Sequence, residues 1–283
     1  MGYIDLHLHC NNSDGRLSSQ ELTNELRKAG ITTAAITDHN KLLPNFEELQ
    51  EKNPDICLIR GSEISSLHVF ASGKKVEVHI VGLMLKETPE LLELLKKNTA
   101  DNGERIKKIL EKLKEYDINI GTYEELQMMF PGKRLGRMQL AKALVAHGVV
   151  ESVAEAFDEY IGDYGKKLAW VENNIQFASI QEVVGVIHKA SGRAVLAHAL
   201  SYKLDDTEFE ELLEVFKAAG GDAMEVEYGK YDAESRKFLA KTAKKWKLMP
   251  SCGSDFHGNS PEERLDYHFM ESDYLGLLSE NRI

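Results

Sequence analysis

The sequence contains little cysteine, no long apolar run and no excess of basic residues. Its three cysteines, Cys10, Cys57 and Cys252, are an odd number without paired spacing, which argues against a disulfide framework and fits a reducing compartment. No apolar run approaches the ~20 residues that a membrane span requires, and no secretory leader precedes the first predicted strand. We therefore expect a cytoplasmic protein that does not engage a membrane.

Charge narrows the range of partners. Acidic residues outnumber basic ones by 46 to 35, so the formal net charge is −11. This excess disfavours stable binding to duplex nucleic acid. It does not disfavour a small phosphorylated substrate, because bound divalent cations would reverse the sign of the charge locally. Nothing in the composition predicts an oligomeric state.

Strand and helix patterns alternate on both sides of a long helical stretch. At 283 residues, of which 42% are hydrophobic, the chain is long enough for a barrel with an insertion. Repeated strand–helix units with reactive residues at the strand ends predict a parallel α/β barrel. Residues 99–171 contain helical patterns without an intervening strand. We predict that 1–98 and 172–283 form the barrel and that 99–171 are a helical insertion.

The stretch from Asp5 to Gly15 carries the first indication of chemistry. His7 and His9 are two residues apart on a predicted strand, so their side chains point to the same face. A loop rich in Asn, Ser, Asp and Gly follows and carries Asp14 nearby. Such a pair can also be incidental to a strand. Later strand ends, where further histidines lie beside a carboxylate or a glycine, favour a metal site.

Nine imidazole and carboxylate groups from six segments are predicted to meet at one end of the barrel. They are His7, His9, Asp14, His39, Glu63, His79, His198, Asp255 and His257. Imidazole with carboxylate and without thiolate suits Mn²⁺, Fe²⁺ or Zn²⁺, and a cluster of this size implies more than one ion.

The motifs around these residues resemble those of the PHP (polymerase and histidinol phosphatase) domain metal-dependent phosphoesterases. The motifs are Asp5-Leu6-His7-Leu8-His9, Ser13-Asp14-Gly15, Thr37-Asp38-His39, Gly61-Ser62-Glu63-Ile64-Ser65, His79-Ile80-Val81-Gly82-Leu83, Leu196-Ala197-His198 and Gly253-Ser254-Asp255-Phe256-His257. The helical insertion, with Gly136-Arg137, makes the chain most similar to the branch of nucleoside-3′,5′-bisphosphate phosphatases and RNA 5′-exonucleases.

The resemblance implies a distorted (β/α)₇ barrel with a trinuclear site and an insertion that lines the substrate side. The first metal would take His7, His9, Glu63 and Asp255, the second Glu63, His79 and His198, and the third Asp14, His39 and His257. Catalysis would involve Asp14, His39, Glu63, Asp255 and His257. A metal-bound hydroxide would attack the phosphorus of a nucleotide monoester or of an oligonucleotide 5′ end.

A basic loop in the insertion is the candidate substrate clamp. Arg137, together with Arg134 or Lys133, is placed to bind a second phosphate of the substrate, and the alternative is that these are solvated surface charges. The chain also departs from the resemblance. Gln139 follows Met138 where family members often have Pro-His, and the segment between Glu63 and His79 is long and includes His68.

Three alternatives accompany this hypothesis. Histidinol-phosphate phosphatase would use the same site chemistry on another substrate. Amidohydrolases also begin with His-x-His, but Asp14, the Asp38-His39 pair and Glu63 in place of a bridging lysine speak against that class. A non-catalytic, metal-stabilised binding domain is disfavoured because all nine positions are filled.

Overall fold

The computed structural model describes residues 2–99, 103–130, 135–162, 165–171, 177–260, 263–265, 267–274 and 276–279. The chain divides into two compact units: residues 1–99 with 177–283, here called the barrel unit, and residues 100–176, here called the helical unit.

Seven strands of the barrel unit form one sheet in which spatial order equals chain order. They are β1 (Tyr3–Leu8), β2 (Ile31–Ile36), β3 (Cys57–Val69), β4 (Lys75–Leu83), β5 (Arg193–Leu196), β6 (Ala223–Tyr228) and β7 (Met249–Gly253). The predicted α/β barrel is thus confirmed.

One strand departs from the parallel arrangement. β4 runs antiparallel to β3 and to β5, whereas the other neighbouring pairs are parallel. The physical reason is the short connection of residues 70–74, since a tight hairpin can join only antiparallel strands. β3 also continues to Val69, so Glu63 lies within a strand and not at the strand end where its motif suggested.

The first and last strands approach each other and nearly close the sheet into a ring. Asp255 N donates to the carbonyl oxygen of His7 at 2.9 Å, and His9 N donates to that of Phe256 at 3.0 Å. Gly253 permits this approach, because a Cβ at that position would lie 2.3 Å from the Cβ of His7. Residues from the two ends of the chain therefore meet at one edge of the sheet.

Helices occupy the connections between strands, except for the hairpin between β3 and β4, and they form the core of the helical unit. They are α1 (Ser19–Lys28), α2 (Phe46–Lys52), α3 (Pro89–Asn98), α4 (Gly103–Lys114), α5 (Tyr123–Met129), α6 (Arg137–Ala146), α7 (Val153–Ala156), α8 (Ile180–Lys189), α9 (Asp206–Ala218) and α10 (Ala233–Trp246). A π-helical turn, Phe157–Ile161, follows α7. Capping boxes of Ser18 with Glu21 and of Ser179 with Glu182 form at the starts of α1 and α8.

Each unit has its own apolar core. In the barrel unit, Ile4 and Leu6 of β1 pack with Val195 and Ala223 of the opposite strands. In the helical unit, α4 contributes Ile106, Ile109 and Leu113 to a separate cluster that includes Leu140 and Leu144 of α6. Within the described part of the chain, no helix is both long and apolar enough to cross a membrane.

Candidate metal centre

The end of β1 presents His7 and His9 side by side. Both side chains are fully buried, and their ring centroids are 5.2 Å apart. The backbone is fixed by Asp5, whose Oδ1 accepts hydrogen bonds from His7 N at 3.2 Å and from Ser254 N at 3.1 Å. Burial raises the pKa of Asp5 to about 7, although these hydrogen bonds oppose the shift. Asp5 thereby joins the motif that carries His7 and His9 to the motif that carries Asp255 and His257.

The loop that carries Asp14 is held by Asp38. The Asp38 carboxylate accepts from Cys10 N at 3.0 Å, from Ser13 Oγ at 2.5 Å and from Asn12 Nδ2 at 3.3 Å. These bonds fold the polar loop back toward the end of β2, where His39 follows Asp38. Asp14 Oδ2 then lies 3.6 Å from His39 Nε2.

Glu63 is the centre of the cluster. Its carboxylate is fully buried and faces five imidazoles. They are His7 and His9 (Nε2 at 3.4 and 3.3 Å from Oε2), His39 (Nδ1 at 2.8 Å from Oε2), His79 (Nδ1 at 2.8 Å from Oε1) and His198 (Nε2 at 2.9 Å from Oε1). No other described carboxylate contacts as many of the predicted ligands.

Sheet register explains why Glu63 and His79 meet. His79 is directly opposite Ser65, two residues along β3 from Glu63, so all three side chains lie on one face of the hairpin. Glu63 N donates to the Thr37 carbonyl oxygen at 2.9 Å, and Asn40 N donates to that of Glu63 at 2.8 Å. The carboxylate is therefore fixed by backbone bonds toward the end of β2 as well as by β4.

Asp255 and His257 complete the cluster from the segment after β7. Asp255 Oδ1 lies 3.3 Å from His9 Nε2 and 3.6 Å from His7 Nε2. His257 Nε2 lies 3.3 Å from Asp14 Oδ1, and its ring stacks on that of His9 with centroids 4.0 Å apart. The structure thus brings all nine predicted residues together.

Two of the nine predicted residues have unusual backbone conformations. His198 (φ 29°) and Asp255 (φ 54°) both have positive φ, which costs free energy for residues other than glycine. Each is held by a hydrogen bond from its own amide. His198 N donates to Glu225 Oε2 at 2.5 Å, and Asp255 N donates to the His7 carbonyl oxygen. Such strain at two neighbouring sites is typical of functional positions.

Three sets of donor atoms are close enough to hold metal ions. Within each set, the atoms lie within 4.8 Å of one another. The sets are His9 with Asp14, His39 and His257; His7 with His9 and Glu63; and His39 with Glu63 and His79. Among the described residues, His7 Nε2 and both ring nitrogens of His9 are buried without a hydrogen-bond partner. Buried polar atoms normally have partners, so these donors fit metal ions.

Burial and contacts between neighbouring ionisable groups together set the charges in the cluster. Burial alone would raise the pKa of Glu63, but His39, His79 and His7 hold that pKa well below its usual range. Burial, together with the neighbouring His257 and His39, lowers the pKa of His9 to about 4. Ionised carboxylates and a neutral His9 imidazole are the protonation states that metal ligation requires.

Glu225, on β6, is a site residue that the sequence analysis did not single out. Its side chain is buried, with Oε1 2.6 Å from His7 Nδ1 and Oε2 accepting from His198 N. A carboxylate on the distal ring nitrogen fixes the tautomer and orientation of a ligand histidine. The available signal was a single charge inside the apolar run Ala223-Met224-Glu225-Val226.

The basic residues of the predicted clamp belong to the helical unit. Arg137 is the first residue of α6; its guanidinium lies over the Phe157 ring, 5.9 Å from the centroid, with Nη1 3.4 Å from the Ile161 carbonyl oxygen. Arg134 and Lys133 lie outside the described residues. Gln139, where a histidine was expected from the resemblance, caps α6 by accepting from Gly136 N at 3.0 Å.

A nearly closed α/β barrel with clustered imidazoles and carboxylates at one end defines a metal-dependent hydrolase. The PHP domain family matches residues 5–248, and the chain belongs to that family. It is a hydrolase of phosphoric ester bonds, the activity for which its relatives are named.

Three comparisons show the extent of the similarity. The 5′-3′ exoribonuclease Rnm of Escherichia coli is 34% identical over 91% of this chain and 86% of its own length. The 3′,5′-nucleoside bisphosphate phosphatase of Chromobacterium violaceum is 30% identical over 91% and 88%, respectively. A crystal structure of an inferred metal-dependent phosphoesterase from Bifidobacterium adolescentis superposes with a TM-score of 0.82 at 26% identity, covering 99% of this chain and 96% of that one.

Proposed function

We propose that the protein hydrolyses phosphate monoesters of small nucleotides, such as nucleoside 3′,5′-bisphosphates, or of the 5′ ends of short oligonucleotides. The observation that carries this proposal is the contact of the single carboxylate of Glu63 with five imidazoles. The names of the two curated relatives support the substrate class, since one acts on RNA and the other on nucleoside bisphosphates.

The cofactors in this proposal are two or three divalent ions, of which Mn²⁺, Fe²⁺ and Zn²⁺ suit the donors. The first ion would be held by His7, His9, Glu63 and Asp255, the second by Glu63, His79 and His198, and the third by Asp14, His39 and His257. The three sets of close donor atoms support most of this division: they add His9 to the third group and His39 to the second, and they leave out Asp255 and His198. Bound ions would supply Lewis acidity toward phosphoryl oxygens and lower the pKa of water.

Some residues of the cluster are buried, here called the floor, and others are accessible to solvent, here called the rim. His7, His9 and Glu63 have no exposed surface, so their role is to hold and orient. The side chains of His39, Asp14 and His79 are 29%, 22% and 21% exposed, so a phosphate monoester enters from their side. Glu63 and Asp255 remain ionised because imidazoles keep their pKa values well below the usual range despite burial. The rim residues and Asp255 would position the phosphoryl group.

Arg137 serves in this proposal as the clamp for a second phosphate. Its position in the first turn of α6 supports that role, because helix N-termini favour anions and arginine binds phosphate through two parallel hydrogen bonds. Arg134 and Lys133 would assist from the preceding loop. The helical unit would in this way select among substrates whose chemistry takes place in the barrel unit.

The test is phosphate release by Mn²⁺-loaded protein from three substrates in parallel: adenosine 3′,5′-bisphosphate, a short 5′-phosphorylated RNA and histidinol phosphate. We expect hydrolysis of the two nucleotide substrates to dominate and a chelator to abolish it. A preference for histidinol phosphate would assign the protein to the other branch, and full activity of chelator-treated protein would overturn the metal-dependent mechanism.

A further inference from the structure

The turn that follows β6 places a lysine beside the metal centre. Lys230 Nζ lies 3.3 Å from Oδ2 of Asp255. In the ion pairs of the described residues, Lys230 is the one lysine or arginine that reaches any of the nine predicted ligands. It was not identified by its motif, because no pattern in Tyr228-Gly229-Lys230-Tyr231 distinguishes it from a surface lysine.

The turn is fixed on three sides. Tyr231 N donates to the Tyr228 carbonyl oxygen at 2.9 Å, Gly229 N donates to that of Gly253 at 3.1 Å, and Leu200 N donates to the Tyr231 hydroxyl at 2.9 Å. A Cβ on Gly229 would lie 2.7 Å from the ring of Tyr267, so the turn accepts no side chain there. The stem of Lys230 therefore starts from a defined position.

The two oxygens of Asp255 face different groups. Oδ1 faces the ligand imidazoles of His7 and His9, whereas Oδ2 accepts from the Tyr228 hydroxyl at 2.8 Å. The Tyr228 bond already fixes Asp255, and Tyr228 is itself buried. Lys230, by contrast, is 58% exposed in its side chain. An exposed ion pair of this kind contributes little to stability, so the position of Lys230 needs another explanation.

The ammonium group has donor capacity left for a ligand. A lysine ammonium has three N–H donors, and in the described part of the chain Asp255 is the single hydrogen-bond acceptor of Lys230. An anion entering from the exposed rim would find this positive charge next to a ligand carboxylate. Hydrogen bonds from ammonium to phosphoryl oxygens are short and strong.

We propose that Lys230 is a catalytic residue that binds the phosphoryl group undergoing hydrolysis, whatever alcohol is esterified to it. The inference deepens the proposed function and rests on it only in taking the reacting group to be a phosphate monoester. It differs from the role of Arg137, which concerns a second phosphate. Loss of Lys230 therefore affects an aryl phosphate and a nucleoside bisphosphate alike.

The experiment compares Lys230→Gln and Lys230→Arg with the control Lys237→Gln, an exposed lysine on α10 whose replacement changes net charge equally. The measurements are kcat/KM for an aryl phosphate and for adenosine 3′,5′-bisphosphate, inhibition by inorganic phosphate, and Mn²⁺ affinity of the ion-free protein by calorimetry. We expect Lys230→Gln to lose about 10- to 100-fold on both substrates and to weaken phosphate inhibition similarly, with unchanged Mn²⁺ affinity. Lys230→Arg should recover most of the loss.

Two results would overturn the proposal. If phosphate inhibition of Lys230→Gln equals that of the wild type, the ammonium does not touch the phosphoryl group. If Mn²⁺ affinity falls together with activity, Lys230 acts by holding Asp255. Failure of the proposed function is separate, because inactivity of the wild type on nucleotides leaves the aryl phosphate and inhibition measurements intact.

Discussion

The barrel unit and the helical unit differ most in where their ionisable side chains lie. In the barrel unit, nine imidazole and carboxylate groups converge at one end of the sheet, and three of them, His7, His9 and Glu63, have no exposed surface. In the helical unit, His147 is the only histidine, and its Nδ1 lies 2.9 Å from the carbonyl oxygen of Ala143 in its own helix. The comparison teaches that the barrel unit, and not the helical unit, gathers the imidazole and carboxylate groups that the proposed chemistry requires.

The most severe test of this division is Glu63→Gln. Removing the charge shared by five imidazoles should reduce kcat/KM by about a thousandfold or more on every phosphate monoester, since an electrostatic group at the reacting centre is lost. Glu210→Gln, an exposed carboxylate on α9 paired with Lys245, is the matched control and should retain activity. Substantial activity of Glu63→Gln on an aryl phosphate would place the chemistry elsewhere.

Glu225→Gln tests whether the Glu225 carboxylate is needed to orient His7. The amide keeps the shape of the side chain but removes the charge beside His7 Nδ1, so we expect Mn²⁺ affinity to fall by about 10- to 100-fold. Glu227→Gln on the same strand, where the carboxylate pairs with Arg236, should leave affinity unchanged. Equal affinities of the two variants, measured by calorimetry, would show that Glu225 is not needed to orient His7.

Arg137→Ala examines the helical unit. Loss of a charge-assisted phosphate contact should reduce kcat/KM about tenfold for adenosine 3′,5′-bisphosphate and should leave an aryl phosphate unaffected. Lys142→Ala, on the same helix, serves as the control. Equal losses of Arg137→Ala on both substrates would contradict a clamp, and would break the assignment of selectivity to this unit.

The release of protons on metal binding is the smallest expected effect, and it involves the barrel unit alone. Without metal, burial tends to lower the pKa values of His79 and His257, but contacts with carboxylates raise them to about 10 and about 9. A ligand imidazole must be neutral, so metal binding at neutral pH should release at least these two protons, and affinity should rise with pH. The raised pKa values also affect folding stability. The contacts with carboxylates stabilise the ion-free protein fully below pH 6.5, and this stabilisation is lost as the pH rises through about 9 to 10.

Calorimetry in two buffers of different ionisation enthalpy measures the protons released. The variant His79→Asn should release about one proton fewer than the wild type. A binding enthalpy that does not change with the buffer would contradict the raised pKa values.

Much of this architecture could be predicted because local rules and the global fold agree. Alternating strand and helix patterns, and caps such as Ser18 with Glu21, specify elements over short distances. Side-chain alternation places His7 and His9 on one face of β1 without knowledge of any partner strand. Much of the convergence follows from strand ends that meet at one edge of a sheet whose spatial order equals chain order.

What could not be predicted depends on contacts between distant segments. The direction of β4 follows from the tight turn before it, yet the length of β3 beyond Glu63 is set by pairing with β4 and not by its own sequence. Glu225 resembles an ordinary strand residue until β1 brings His7 against it. Lys230 acquires its role only when the segment after β7 carries Asp255 to the same place.

The ring formed by β1 and β7 has a consequence for biosynthesis. His7 and His9 leave the ribosome long before their neighbours Asp255 and His257, which lie far along the chain. Contacts of such large sequence separation form late and slowly, because a long loop must close before they contribute stability. A nascent chain therefore carries His7 and His9 without their final neighbours during most of its synthesis. We expect the complete cluster to assemble late in folding, once the segment that follows β7 has reached β1.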